Sequence, residues 1–157
     1  MTIFSTRKSP RLKQFDYSMP TAYFITICTH NKVCLFGKPD QLNHFGKIAD
    51  MAVLKIPVHY PCVEIKKHVI MPNHVHILLF IDSTKTKNEN VFPNVSSIVG
   101  KYKAAVSREI HQSDPQITVW QRSFHDHIPR NQKALEDIWQ YIDDNPRKWD
   151  LDRFFVK

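Results

Sequence analysis

The sequence predicts an α+β fold: a ferredoxin-like βαββαβ antiparallel sheet with helices on one face and an added C-terminal helix. Three observations lead there. A strictly alternating segment at 71–80, Met-Pro-Asn-His-Val-His-Ile-Leu-Leu-Phe, has the pattern of a buried strand. Stretches at 44–57, 95–111 and 132–145 repeat apolar residues at helical spacing. The resulting order, strand, helix, two strands, helix and strand, is that of a split βαβ sheet, and one helix is left over at the end.

Taken in order, residues 1–20 carry Arg7, Lys8, Arg11 and Lys13 without periodicity. They form a basic arm, either solvated or laid along a nucleic-acid backbone. Residues 21–29, Thr-Ala-Tyr-Phe-Ile-Thr-Ile-Cys-Thr, alternate strand formers and give the first strand. After a connection through Phe36-Gly37-Lys38-Pro39, Asn43 is placed to cap a helix over 44–57. Its stripe is Phe45, Ile48, Ala49, Ala52, Val53 and Ile56. Residues 63–70 form the second strand, and Pro72-Asn73 turns tightly into the next, which makes an antiparallel hairpin. Residues 82–94 are polar and loop-like. The second helix, 95–111, is capped by Asn94 or Ser96. It buries Ile98, Tyr102, Ala105, Val106 and Ile110 and leaves Lys101, Lys103 and Arg108 in water. A short extended run at 118–124, Thr-Val-Trp-Gln-Arg-Ser-Phe, supplies the last strand, and Pro146 ends the third helix, 132–145.

Alternation sorts the side chains of the 71–80 segment and its end. Val75, Ile77, Leu79 and Ile81 share one face, apolar throughout, whereas His74, His76, Leu78 and Phe80 share the other. With the helices on the apolar face, the histidine pair looks out from the open one. A lone strand histidine is ordinarily a packed side chain with one hydrogen bond. Two at i and i+2 on an apolar strand are harder to explain so, because each imidazole buried without a partner costs ~1–3 kcal/mol. The pair points to a metal or a phosphate.

At 157 residues the chain can bury its own core, and a single domain over 1–157 is expected, with 1–20 as its arm. Apolar residues at 42% and charged residues at 24% are those of a globular protein, and no run suits a membrane span. Residues 1–8 lack the apolar core of a secretion signal. Cys28, Cys34 and Cys62 form no Cys-x-x-Cys pair, which argues against disulfides or a zinc knuckle and for a reducing, cytoplasmic setting. Lys+Arg exceeds Asp+Glu by 22 to 15, a net +7 with a pI near 9.4, as expected of a polyanion binder. Lys101, Lys103, Arg122 and Arg130 join Arg7, Lys8 and Arg11 as candidate polyanion contacts, each equally readable as solvated charge.

The third helix has an apolar stripe of Leu135, Ile138, Trp139 and Ile142. Tyr141 and Asn145, four apart, lie one turn from each other on its edge. Alone they would pass as a half-buried tyrosine and a helix-ending asparagine. Laid over a histidine pair they suggest more. A tyrosine hydroxyl is a poor nucleophile near neutral pH, its free pKa being ~10, but a cation beside it favours phenolate. Two imidazoles fill only part of a coordination shell, and the Asn145 amide oxygen could add to it. A site so composed fits phosphoryl transfer onto tyrosine.

Met-Pro-Asn-His-Val-His at 71–76, Val-Trp-Gln-Arg-Ser-Phe-His-Asp-His-Ile-Pro-Arg-Asn at 119–131 and Tyr-Ile-Asp-Asp-Asn-Pro-Arg-Lys-Trp at 141–149 together resemble the REP-associated tyrosine transposases. These belong to the single-tyrosine HUH transposases, named for His-hydrophobic-His. Residues 23–37 are similar to the family's first strand and turn, so the likeness covers roughly 10–150. Pro129 departs from it, standing where an aliphatic residue is usual. The resemblance implies that His74, His76 and Asn145 hold Mg²⁺ or Mn²⁺ and that Tyr141 attacks a phosphodiester of single-stranded DNA beside a hairpin. It implies a 5′-phosphotyrosine intermediate and either a monomer or a homodimer. His125 and His127, a second His-x-His with Asp126 between, are expected near the site or in contact with DNA. The main alternative is a catalytically idle module, derived from a transposase, that binds hairpin or single-stranded nucleic acid. An RRM-like sheet would need an aromatic run that is missing, and a histidine-triad hydrolase would need histidine where Leu78 stands.

Overall fold

The structure, a computed structural model, describes residues 21–82 and 93–156. The arm with Arg7, Lys8 and Arg11 and most of the polar loop lie outside the described residues. In chain order the elements are β1 (Ala22–Cys28), β2 (Gly37–Lys38), β3 (Gln41–Leu42), α1 (His44–His59), β4 (Val63–Met71), β5 (His74–Ile81), α2 (Val95–Ser113), β6 (His125–His127) and α3 (Gln132–Asp144). Short 3₁₀ turns at His30–Lys32 and Trp149–Leu151 complete them.

The main sheet runs β4-β5-β1-β6, each neighbour antiparallel, which is the ferredoxin-like arrangement. Pairing places Ile70, Val75 and Ile27 in one cross-strand row and His68, Ile77, Ile25 and Asp126 in the next. This face meets α1 and α2, and its apolar members join Ala49, Val53, Ile56, Ile98, Tyr102, Val106 and Ile110 in the core. The Tyr102 hydroxyl donates to the Ala49 carbonyl at 2.9 Å and ties the two helices together. Asn43 caps α1 by accepting from the Gly46 N–H at 2.9 Å, and Asn94 rather than Ser96 caps α2, accepting from the Ser96 N–H at 2.7 Å. Only glycine fits at Gly46, because a Cβ there would lie 2.3 Å from the Phe36 carbonyl oxygen.

Three expectations need correction. The last strand is His125–His127, not 118–124, where only Trp120 makes an isolated bridge, to Thr29. Val119, Trp120 and Phe124 bury their side chains in the core instead, and the chain wraps the end of β1 through the Gln121 N–H donating to Cys28 and the His30 N–H donating to Val119. Lys103 is not in open water. It is half-buried, and its ammonium donates to the carbonyls of Gln121 at 2.7 Å and Ser123 at 3.0 Å. The first helix runs two residues beyond Pro57, since the Tyr60 N–H still closes onto Ile56.

The β4–β5 register slips by one between Ile65 and Lys67. The bulge leaves Ile65 opposite Leu79 on the helix-covered face and Lys67 opposite Leu78 on the other. Without it Lys67 would point at the helices. Among the described residues no helix is long and apolar enough to cross a membrane.

Candidate active site

The open face of the sheet carries His74 and His76 in rows with Met71 and Cys28, and with Val69, Thr26 and His125, respectively. The tight Pro72-Asn73 turn starts β5 at once, so alternation puts both imidazoles on this face with centroids 4.6 Å apart. Both are buried, at 0% and 1% exposure.

Asn73 settles the tautomer of His74. Its amide nitrogen donates to two carbonyls, Phe154 at 2.7 Å and Lys32 at 3.2 Å, so the group facing His74 is the amide oxygen. His74 Nδ1–H therefore donates to Asn73 Oδ1 at 2.8 Å, which leaves Nε2 as a bare lone pair. Thr26 Oγ1 pairs with His76 Nδ1 at 2.9 Å, and His76 Nε2 is likewise buried without a partner. Burial holds the His74 pKa down at about 3, against the Asn145 amide and with help from Arg153, and it pushes His76 well below its ordinary value. Two neutral imidazoles whose Nε2 atoms meet no protein partner suit a divalent cation, each steadied by a partner on its other nitrogen, and a cation would require the His76 tautomer in which Nδ1–H donates to Thr26.

α3 lies across this face against β4 and β5, with Asn131 capping it by accepting from the Ala134 N–H at 2.8 Å. Tyr141 is 41% exposed and stands edge-on to His76 at 5.3 Å between centroids and to Phe24 at 6.1 Å. Phe24 stacks on His76 at 5.2 Å. Burial raises the Tyr141 phenol, opposed by the Asn145 amide. Asn145, just past the helix, donates from Nδ2 to the Tyr141 carbonyl at 2.9 Å, and its Oδ1 is buried without a partner. His74, His76, Asn145 and Tyr141 thus converge.

Asp152 was not foreseen. One donor atom each from His74, His76 and Asp152 lie within 4.8 Å of one another, the carboxylate being 3.7 Å from His74 Nε2. Burial raises its pKa, while the Phe154 N–H donates to it. The segment that holds it, following the Trp149–Leu151 turn, brings the Phe154 ring to 4.6 Å and the Trp149 ring to 6.1 Å from His74. No periodicity marks an aspartate in an irregular segment. Asn73 and Thr26 were visible only as turn and strand residues, because their roles arise across the sheet.

The remaining candidates divide between the two layers. His125 and His127 lie on the open face, opposite Thr26 and Phe24, and both are exposed, as are Arg122 and Arg130 nearby in sequence. Lys101 sits on the helical layer instead, 5.5 Å above the Tyr60 ring.

The depressed histidines have a consequence for stability. Unfolded His74 takes a proton near pH 6.5, whereas the folded one resists it down to about 3. Stability of the metal-free protein is therefore complete above pH 6.5 and falls through that window, His76 adding in the same sense, by a few kcal/mol as an order of magnitude. Urea titrations across the window check this, and a His74→Gln variant should show a shallower dependence.

A four-stranded antiparallel sheet, with two helices behind it and a tyrosine helix over a histidine pair in front, defines an α+β protein with a cation-type donor set. The chain belongs to the IS200-like transposase family, whose model matches residues 21–145, a span that includes Tyr141 and Asn145 but not Asp152. Among curated relatives it is similar to an uncharacterized protein of Haemophilus influenzae, 36% identical over 96% of this chain and 93% of that one. A second Haemophilus influenzae protein, described as a candidate REP-associated tyrosine transposase, is 24% identical over 85% and 74%. Two solved structures share the fold. A REP-associated tyrosine transposase bound to a REP hairpin matches with TM-score 0.58 at 18% identity, covering 88% of this chain and 74% of that one. A candidate transposase from Deinococcus radiodurans matches with TM-score 0.53 at 17% identity, covering 85% and 97%. The motif resemblance to the REP-associated transposases thus holds at the level of family and fold.

Proposed function

We propose that the chain is a single-strand DNA endonuclease and strand transferase that cuts beside a hairpin through a 5′-phosphotyrosine intermediate. The convergence of Tyr141, His76 and the partnerless Asn145 oxygen on one sheet face supports this most directly. The hairpin carried by the structurally similar REP-associated transposase supports the substrate class.

The donor set passes a test of fit for a divalent ion: three buried polar atoms, His74 Nε2, His76 Nε2 and Asn145 Oδ1, lack partners in a site where each would otherwise cost ~1–3 kcal/mol. These residues would hold Mg²⁺ or Mn²⁺, with the Asp152 carboxylate close enough to join them. When bound, the ion supplies Lewis acidity toward a phosphate oxygen. Tyr141 supplies the nucleophile. Its oxygen bonds to the phosphorus as the bond from phosphorus to the 3′ oxygen breaks, the phenol proton is lost, and the 3′ oxygen leaves as a hydroxyl. That hydroxyl can attack the phosphotyrosine and rejoin or transfer the strand. Asn73 and Thr26 would keep the imidazoles turned, and Phe24, which forms a mutually contacting cluster with His76 and Tyr141, would offer ring surface to a base. His125 and His127 on the β6 edge, with the exposed Arg122 and Arg130 flanking them in sequence, would contact the strand, and Arg7, Lys8 and Arg11 are further candidates, whereas Lys101 on the helical layer and Lys103, held by two carbonyls, are not.

The test is incubation of the native protein with labelled single-stranded hairpin DNA and Mn²⁺. A covalent adduct mapping to Tyr141 is expected. Tight hairpin binding without any adduct would support the idle binding module instead.

A further inference from the structure

We infer that Lys67 is a positioning residue that clasps the tyrosine helix to its own sheet, an inference that rests on Tyr141 being the nucleophile. α3 is thinly anchored. Ile142 is its only buried residue, with Ala134, Leu135, Ile138 and Asp144 half-buried. Around the helix, Ile138, Ile142 and Leu135 form the stripe that rests on the sheet. Tyr141 projects from one side of that stripe, and Trp139 and Asp143, one turn apart, project from the other.

A helix seated on a narrow stripe is free to roll. Its side chains extend about 5–6 Å from the axis, so a roll of about 20° moves a side-chain tip about 2 Å. A displacement of even ~1 Å can cost an enzyme on the order of 10²-fold in rate. Something must fix the roll on the side away from Tyr141.

Lys67 does so. Its ammonium lies 4.7 Å above the Trp139 ring and is ion-paired with Asp143. One cation thus holds two successive turns, and those two residues bracket Tyr141 by two positions on either side. The lysine side chain is 22% exposed while Asp143 and Trp139 are 48% and 42% exposed, so each contact is of modest strength and the two act together. It reaches the helix because of the β4 bulge, which turns Lys66 and Lys67 together onto the open face. Lys66 is spent elsewhere, on Glu64 at 2.6 Å and the Phe80 ring at 5.8 Å. A bulge that aims one side chain at the element carrying a reactive group is a recurrent device beside active sites.

The test uses the full chain with Lys67→Ala, Lys67→Arg and Trp139→Leu, read in two ways. Hydrogen exchange should show residues 132–144 losing protection in Lys67→Ala and Trp139→Leu while β5 and α2 keep theirs, with Lys67→Arg restoring it. Adduct formation on hairpin DNA should fall about tenfold at saturation, the order that one cation–π contact and one ion pair supply, with the half-saturating DNA concentration unchanged. Native exchange over 132–144 in Lys67→Ala would overturn the clasp, as would protection lost evenly over the whole sheet. If the native protein forms no adduct but Lys67→Ala still loses protection in 132–144 alone, the clasp stands and the nucleophile assignment falls.

Discussion

Tyr141→Phe is expected to abolish the covalent protein–DNA adduct, by on the order of 10⁴-fold or more, while leaving hairpin binding within about twofold of native. The phenyl ring keeps the edge contacts to His76 and Phe24, and the side chain is 41% exposed, so removing one hydroxyl disturbs neither helix nor sheet. What disappears is the only phenol this close to the histidines among the aromatic contacts of the described residues. Denaturing gels after incubation with Mn²⁺ and labelled hairpin measure the adduct, and equilibrium titration measures binding. Undiminished cleavage by this variant would remove Tyr141 from the chemistry.

His76→Ala is expected to cost at least about 100-fold in cleavage, because even the outer partners of metal ligands cost 10–100-fold in affinity or activity when removed. Excess chelator should arrest the native protein to the same floor. The substitution removes a bare nitrogen and leaves a hydroxyl, Thr26 Oγ1, without its partner. Calorimetric titration with Mn²⁺ should show the loss of ion binding directly, and retained hairpin binding should show that the sheet still stands. Cutting by the native protein in excess chelator would contradict the assigned role of the pair.

The architecture was largely legible because it rests on periodicity. Alternation along β5 assigned both of its faces, and Asn43 and Asn94 mark helix starts by the chemistry of their side chains. The last strand lies later than the strand formers Val119, Trp120 and Phe124 suggest, because their burial satisfies the core, not a ladder. Lys103 departs from expectation for a related reason: a lysine's stem can lie in the protein while its head meets carbonyls, and composition does not distinguish that from exposure. In the candidate site the histidine pair stands out by spacing, and Tyr141 and Asn145 gain meaning only beside it. Asp152 does not stand out, since its closeness to His74 is a property of the folded chain alone. The bulge at Lys66 was equally silent, for nothing in Lys-Lys says which of two lysines the pairing will leave over.

The pairings that orient the two imidazoles link residues 50 and 81 positions apart, Thr26 with His76 and Asn73 with Phe154. Contacts so distant in sequence are slow to form, because a long loop must close before they return any stabilisation. The helices and the β4–β5 hairpin can form early from neighbours, whereas the imidazoles become fixed only after β1 and the Phe154 segment have docked. A partly folded molecule therefore holds the histidines side by side but unaimed, and competence belongs to the finished fold alone.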